Sequence, residues 1–255
     1  MASPSDSPVR ASLFATCIID QLYPEVGESA VRVLRRLGAE LDFPEAQTCC
    51  GQPAFNSGFW SEAKPLARRF LETFSGGNRY IVIPSGSCAS MVRVFYQELF
   101  HDELALLGKA QALAPRVYEF SEFVVDVLGA TERVAQAAKA PGRSKATYHE
   151  ACHLRRELGA KTQARKLLKA LPGVELVEME QSEVCCGFGG TFAVKYADIS
   201  GAMLQDKVKY IKATGADTVV ACDSSCLMHI GGGLDKQGVN VRPLHLAQVL
   251  DQAMG

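Results

Sequence analysis

The sequence predicts an α/β protein of two pseudo-repeated halves, each a mostly parallel sheet flanked by helices, with metal sites at the carboxyl ends of the strands. Three observations predict it. The nine cysteines fall into two runs of the same spacing, Cys17, Cys49, Cys50 and Cys88, then Cys152, Cys185, Cys186, Cys222 and Cys226. Short β-branched apolar runs alternate with longer amphipathic stretches in both halves, the pattern of a parallel sheet covered by helices. Every cysteine stands at or just past the end of an expected strand, where open parallel sheets bind their ligands.

In the first half a strand is expected at 11–18, a helix at 25–37, a short strand at 39–43 and then the Cys49-Cys50-Gly51 loop. A helix at 62–74, a strand at 80–84 and a helix at 87–100 follow. The second half repeats this as strand 146–150, helix 154–171, strand 174–178, the Cys185-Cys186-Gly187 loop, helix 193–213, strand 218–221 and helix 224–234. Segments 116–119 and 239–242 read as further strands entering short helices at 121–128 and 246–252. Residues 104–115 and 131–143 read as connecting structure, which divides the chain into a disordered tail at 1–10, a first cysteine-rich domain at 11–140 and a second at 141–255.

The repeat is quantitative. From Cys17 to Cys152 is 135 residues, from the Cys49-Cys50 pair to Cys185-Cys186 is 136, and from Cys88 to Cys226 is 138. A nearly constant offset is what internal duplication requires. Gly38-Ala39-Glu40-Leu41 likewise matches Gly173-Val174-Glu175-Leu176. With these offsets Cys222 aligns with Pro84, so the second half has one more thiol than the first.

The charge is balanced, 27 Lys+Arg against 28 Asp+Glu, which excludes a field strong enough to hold nucleic acid or an anionic membrane nonspecifically. A 47% hydrophobic composition excludes disorder as the dominant state. The longest apolar runs, such as Tyr80–Ile83, are far short of the roughly 20 residues of a membrane span. The N-terminus lacks the basic flank and apolar core of an export signal, so a cytoplasmic location is expected, where thiols stay reduced.

Clustered thiols in that setting bind metal or do redox chemistry more often than they form disulfides. A bridge within either Cys-Cys pair is disfavoured, because adjacent Cα atoms lie about 3.8 Å apart, below the usual 4.4–6.8 Å or so. Neither half has the C-x-x-C of a thioredoxin-like couple. Thiolates select zinc, copper(I) or iron–sulfur clusters. Five thiolates in the second half exceed a zinc tetrahedron and imply more than one metal atom; four in the first suit either a cluster or zinc.

Other motifs carry less. Gly187-Phe188-Gly189-Gly190 begins like a dinucleotide loop, but Phe192 stands where a third glycine is needed. His149 and His153 flank Cys152 and could each donate a hydrogen bond to a thiolate or serve only as polar residues at a strand end. His229 and His245 read as structural, Trp60 as a packing residue beside Cys49-Cys50, and Arg155, Arg156 and Lys195 as candidates to offset cluster charge or as solvated helix charges.

The twin C-x31-C-C and C-x32-C-C arrangement resembles the cysteine-rich domain of heterodisulfide reductase and of the iron–sulfur subunits of glycolate oxidase and anaerobic glycerol-3-phosphate dehydrogenase. Closer still, Cys17-Ile-Ile-Asp-Gln-Leu-Tyr-Pro-Glu-Val-Gly, Leu41-Asp-Phe-Pro, Thr48-Cys-Cys-Gly-Gln-Pro-Ala-Phe-Asn and Tyr148-His-Glu-Ala-Cys-His resemble the lactate utilisation protein A (LutA/YkgE) family. The resemblance implies a subunit acting with two companions, one a ferredoxin-type iron–sulfur protein, in oxidising L-lactate to pyruvate. It implies Cys152, Cys185, Cys186, Cys222 and Cys226 as ligands of a [4Fe–4S]-type cluster, and Cys17, Cys49, Cys50 and Cys88 as ligands of a second cluster or zinc. Pro84, and a closing C-x3-C where the reductase has C-x-x-C, depart from the reductase pattern. Electron transfer leads; substrate binding at an open cluster iron, and a zinc-stabilised scaffold without redox activity, are the alternatives.

Overall fold

A computed structural model describes residues 8–139 and 144–255. Among the described residues, eight strands form two four-stranded sheets, all parallel. β1 (Arg10–Leu13), β2 (Glu40–Asp42), β3 (Tyr80–Ile83) and β4 (Val117–Glu119) stand in the order β2-β1-β3-β4. β5 (Ser144–Tyr148), β6 (Val174–Leu176), β7 (Thr218–Ala221) and β8 (Arg242–His245) repeat it as β6-β5-β7-β8. The registers also repeat: Ala11 pairs with Leu41 and Tyr80, and Ala146 with Leu176 and Thr218.

The inner strands β3 and β7 are buried almost throughout, which a parallel sheet covered on both faces demands of its sequence. The helix Pro24–Arg36 shows how the cover is built. Pro24 sits in the first turn, Val26, Ala30, Val33 and Leu34 form one buried stripe, and Arg35 and Arg36 close the last turn before Gly38 at φ 84°. Its neighbour is the helix Leu246–Met254 from the other half, where Asp251 accepts from Arg32 and Arg36, each at 2.8 Å. One apolar core accordingly runs through both halves, from Val33 and Leu34 to Leu167, Val219 and Leu250. A second cluster around Phe14, Phe70, Phe74 and Tyr96 lies almost wholly in the first half.

Several elements depart from the sequence reading. The strand expected at 11–18 ends at Leu13, and Cys17 instead opens a helix, Cys17–Leu22. The helix expected at 154–171 is broken into Cys152–Arg156 and Gln163–Ala170 around Gly159, which holds φ 73°. The one expected at 87–100 has a π-turn, Met91–Phe95, between Gly86–Ser90 and Tyr96–Leu99. Residues 104–113, read as a connection, are a helix that buries only Ala110 and Leu113; its apolar residues lie almost all round, so no periodic stripe announced it. Residues 131–137 are also helical. The expected tail lies outside the described residues up to residue 7, and the join near residue 140 lies outside them altogether.

Candidate metal centres

In each sheet the chain leaves the first strand in one direction and the later strands in the other, so the crevice opens between the carboxyl ends of β1 and β3, or β5 and β7. The thiols flank that crevice. Cys17 opens the helix after β1, and Cys88 lies in the helix Gly86–Ser90 after β3, whose first turn is capped by Ser85 Oγ accepting from the Cys88 N–H at 3.3 Å. Thr16 holds φ 63° and ψ 150°, a strained position for a β-branched residue, and so sets the direction in which Cys17 leaves the strand. The Cys49-Cys50 loop closes the group, with Cys17 Sγ 3.5 Å from Cys49 Sγ and Cys50 Sγ 3.3 Å from Cys88 Sγ.

The second half builds the same quartet. Cys152 opens the helix after β5, Cys226 lies in the first turn of the helix Ser224–Lys236 after β7, and Cys185-Cys186 bring their loop to both. Gly51 and Gly187 direct their N–H groups to Cys49 and Cys185, each at 3.4 Å, from φ 87° and 93°. The electrostatics match as well. Thiol hydrogen bonds from Cys17 and Cys50 hold Cys49 down to about 3, and those from Cys152 and Cys186 hold Cys185 well below the ordinary thiol range. The donors Cys17, Cys50, Cys152 and Cys186 are pushed up by the same contacts and by burial. Each pocket thus already stabilises one thiolate, the form that binds metal.

Cys222 stands apart from its quartet. Its sulfur is fully buried against the Tyr148 hydroxyl at 3.6 Å, beside Ser121 and Glu119, and burial raises its pKa. The five-thiol count made from the sequence therefore becomes four sulfurs gathered and one held behind them. Cys222, the residue following β7, lies against Glu119 and Ser121 of the first half, and the His245 ring approaches the backbones of Cys222 and of its counterpart Pro84 after β3.

Polar contacts join the halves beneath the thiols. Asp223 caps its own helix through the Ser225 N–H at 3.1 Å and the opposing one through the Ser87 N–H at 2.9 Å, while the Gly86 N–H donates to the Cys222 carbonyl at 3.1 Å. One cleft of about 170 Å³ is consequently lined by Cys17, Cys50 and Cys88 from one half and Cys152, Cys185, Cys186 and Cys226 from the other.

The remaining sequence candidates divide. His153 Nδ1 lies 3.7 Å from Cys152 Sγ. His149 is fully buried beside Cys186 and Cys226, and burial, with Lys207 nearby, lowers its pKa to about 3. His229 bonds Ser200 Oγ at 3.2 Å, and that hydroxyl donates to the Gly187 carbonyl at 2.8 Å, so this histidine supports the loop. His245 caps the last helix through Ala247. Arg155 is tied to Glu150, Lys195 lies over the Phe59 ring, and Trp60 stacks on Phe55. Lys207 belongs to no motif in the sequence, yet its buried ammonium donates to the Gln181 carbonyl at 2.8 Å and fastens the loop before Cys185. Its signal was a lysine beside Val208 and four residues before Ile211, on the apolar face of the helix Ala197–Thr214.

Two sulfurs bound to one metal at about 2.3 Å lie at most about 4.6 Å apart, and the first-half pairs, at 3.3 and 3.5 Å, fall inside that limit. Eight such thiols in two quartets, all free, fit soft metal centres. Residues 11–93 and 146–231 match the model of the CCG cysteine-rich domain. Lactate utilization protein A 1 of Bacillus anthracis (strain CDC 684 / NRRL 3495) is 44% identical over 246 residues, covering 96% of this chain and 99% of the relative. The chain belongs to the lactate utilization protein A family. Another member, lactate utilization protein A of Geobacillus sp. (strain WCH70), is 46% identical over 243 residues, covering 95% and 99%. Among solved structures, a hypothetical protein from Helicobacter pylori matches with a TM-score of 0.63 at 12% identity, over 98% of this chain and 50% of that one. This family member spans half the length of that structure and shares its fold. No helix among the described residues is long and apolar enough to cross a membrane.

Proposed function

We propose that this chain is an iron–sulfur electron-transfer subunit of a cytoplasmic complex that oxidises L-lactate to pyruvate, beside companion subunits of which one is a ferredoxin-type protein. The observation that carries the reading is the pair of thiol quartets, seven of whose eight cysteines line one cleft. Relatives named for lactate utilization support the substrate. In this reading residues 11–140 and 141–255 are two cysteine-rich units. Cys152, Cys185, Cys186 and Cys226 hold a [4Fe–4S]-type cluster, with Cys222 behind them, and Cys17, Cys49, Cys50 and Cys88 hold a second cluster or zinc.

Lactate oxidation releases two electrons and two protons. The chemistry supplied by a cluster bound here is one-electron transfer, at a potential set by hydrogen bonds to sulfur, burial and charge. The chain's own residues would contribute the Gly187 N–H bond to Cys185, the helix N-termini beneath Cys88 and Cys226, and near-complete exclusion of water from Cys186. The test is anaerobic mixing with L-lactate. Bleaching of visible absorption in the complex with the companion subunits, and not in the isolated chain, is the expected result; a chain holding only zinc, with no bleaching, would refute the reading.

The cleft favours a second reading, because Gln52, Asn56, Ser87, Ser225 and His153 also line it and could orient a small hydroxy acid. Turnover of lactate by the isolated chain with an artificial acceptor would favour that one.

A further inference from the structure

We propose that His149 is the fifth donor of the second-half metal centre, binding a metal atom through a ring nitrogen beside Cys186 and Cys226. This rests on the reading above that the second quartet holds metal. A ring nitrogen of His149 and the two sulfurs all lie within 4.8 Å of one another. The ring is fully buried, and neither nitrogen has a hydrogen-bond partner among the described residues; the Ser182 backbone is near but outside bonding geometry. A buried polar atom left without a partner loses its hydration and gains nothing in return. Coordination by one nitrogen removes that loss there and leaves the other as an N–H donor, as around a ligating imidazole.

The duplication supplies the control. His149 donates its backbone N–H to the Val220 carbonyl at 2.8 Å, as Phe14 does to that of Val82 at 3.0 Å, so the two residues hold the same place in their sheets. Phe14 packs there on Phe70 with ring centroids 4.9 Å apart. The fold thus accepts a purely apolar ring at this position, and the imidazole answers a need of the second site alone. Four sulfurs and one nitrogen exceed the ligand set of a tetrahedral ion, so the second centre contains more than one metal atom, whereas the first quartet matches a single ion's complement.

X-ray absorption at the edge of each bound metal tests this in the anaerobically purified full chain. An imidazole scattering component is expected in the wild type and in His153→Phe, and is expected to vanish in His149→Phe and His149→Gln while first-quartet metal is kept, the latter reporting that the variants are folded. Metal at the second quartet with no imidazole component, or a component lost with His153 and kept without His149, would overturn the proposal on its own. If Cys186→Ser removes no metal from the chain, the parent reading and this inference fall together.

Discussion

The two halves share strand order, register, a Cys-Cys-Gly loop and a thiol quartet, yet the surroundings of the quartets differ. Behind the first stand apolar and aromatic groups: Phe14 against Phe70 and Phe74, Trp60 stacked on Phe55, and the Tyr96 hydroxyl donating to the Cys50 carbonyl at 2.9 Å. Behind the second stand His149, Lys207 and the Ser200–His229 pair, while Val194, Tyr196 and Ile199 lie exposed just beyond its loop. Sheet topology therefore accounts for where sulfurs gather, and residues one layer farther out account for how one site can differ from its twin.

The largest effects should come from the quartets themselves. Metal binding of structural type is worth about 10–16 kcal/mol in small domains and adds directly to folding stability. Cys186→Ser should remove the second centre, lower the thermal midpoint and take with it the visible absorption of that centre; Cys88→Ser should affect only the first centre. Metal analysis with thermal unfolding checks both, and loss of visible absorption from Cys88→Ser would place the redox centre in the other half.

Next come the buried N-caps of the helices that follow β4 and β8, Glu119 and His245. Burial raises Glu119 to about 8 and lowers His245 to about 4, so both are neutral in the folded protein near pH 6. The signs oppose. Unfolded His245 takes up its proton near its ordinary 6.5, so its contribution to stability falls as pH drops from 6.5 towards 4; unfolded Glu119 loses its proton near 4.5, so its contribution falls as pH rises from 4.5 towards 8. Each window amounts to about 3–5 kcal/mol at about 1.4 kcal/mol per pH unit. Denaturant titrations should show the acid limb flattened in His245→Asn and the alkaline limb flattened in Glu119→Gln, since either amide can still cap.

The glycine loops offer a smaller contrast. A Cβ on Gly187 would meet the Ser200 carbonyl oxygen at 2.8 Å and Met203 at 3.1 Å, whereas on Gly51 the nearest atom, the Ala63 carbonyl oxygen, is at 3.2 Å. Both residues have positive φ, which alone strains an L side chain by about 1–2 kcal/mol. Gly187→Ala should be the more destabilising in chemical denaturation, by a further 1 kcal/mol or so. Smallest of all, Cys222→Ala should leave the metal content of both halves unchanged and cost about 1–2 kcal/mol, through the lost contact with Tyr148.

Much of this was legible in the sequence because duplication displays the same solution twice. The parallel strands and the gathering of Cys17, Cys49, Cys50 and Cys88 follow from spacing alone. The place of Cys222 does not: spacing counts residues, while the direction of a side chain leaving a strand depends on the backbone at that point. A sign was present, since its counterpart is Pro84, which can bind no metal. His149 was visible only as one of two histidines flanking a cysteine. Its separation from His153 depends on burial, which no pattern in the Tyr148–His153 segment encodes.

Both quartets are proposed above to hold metal, the second as a multi-iron redox centre. The most direct measurement is iron, acid-labile sulfide and zinc per chain in anaerobically purified Cys50→Ser, whose second quartet is intact. Several irons with inorganic sulfide are predicted; a single zinc, or no metal at all, would contradict the account.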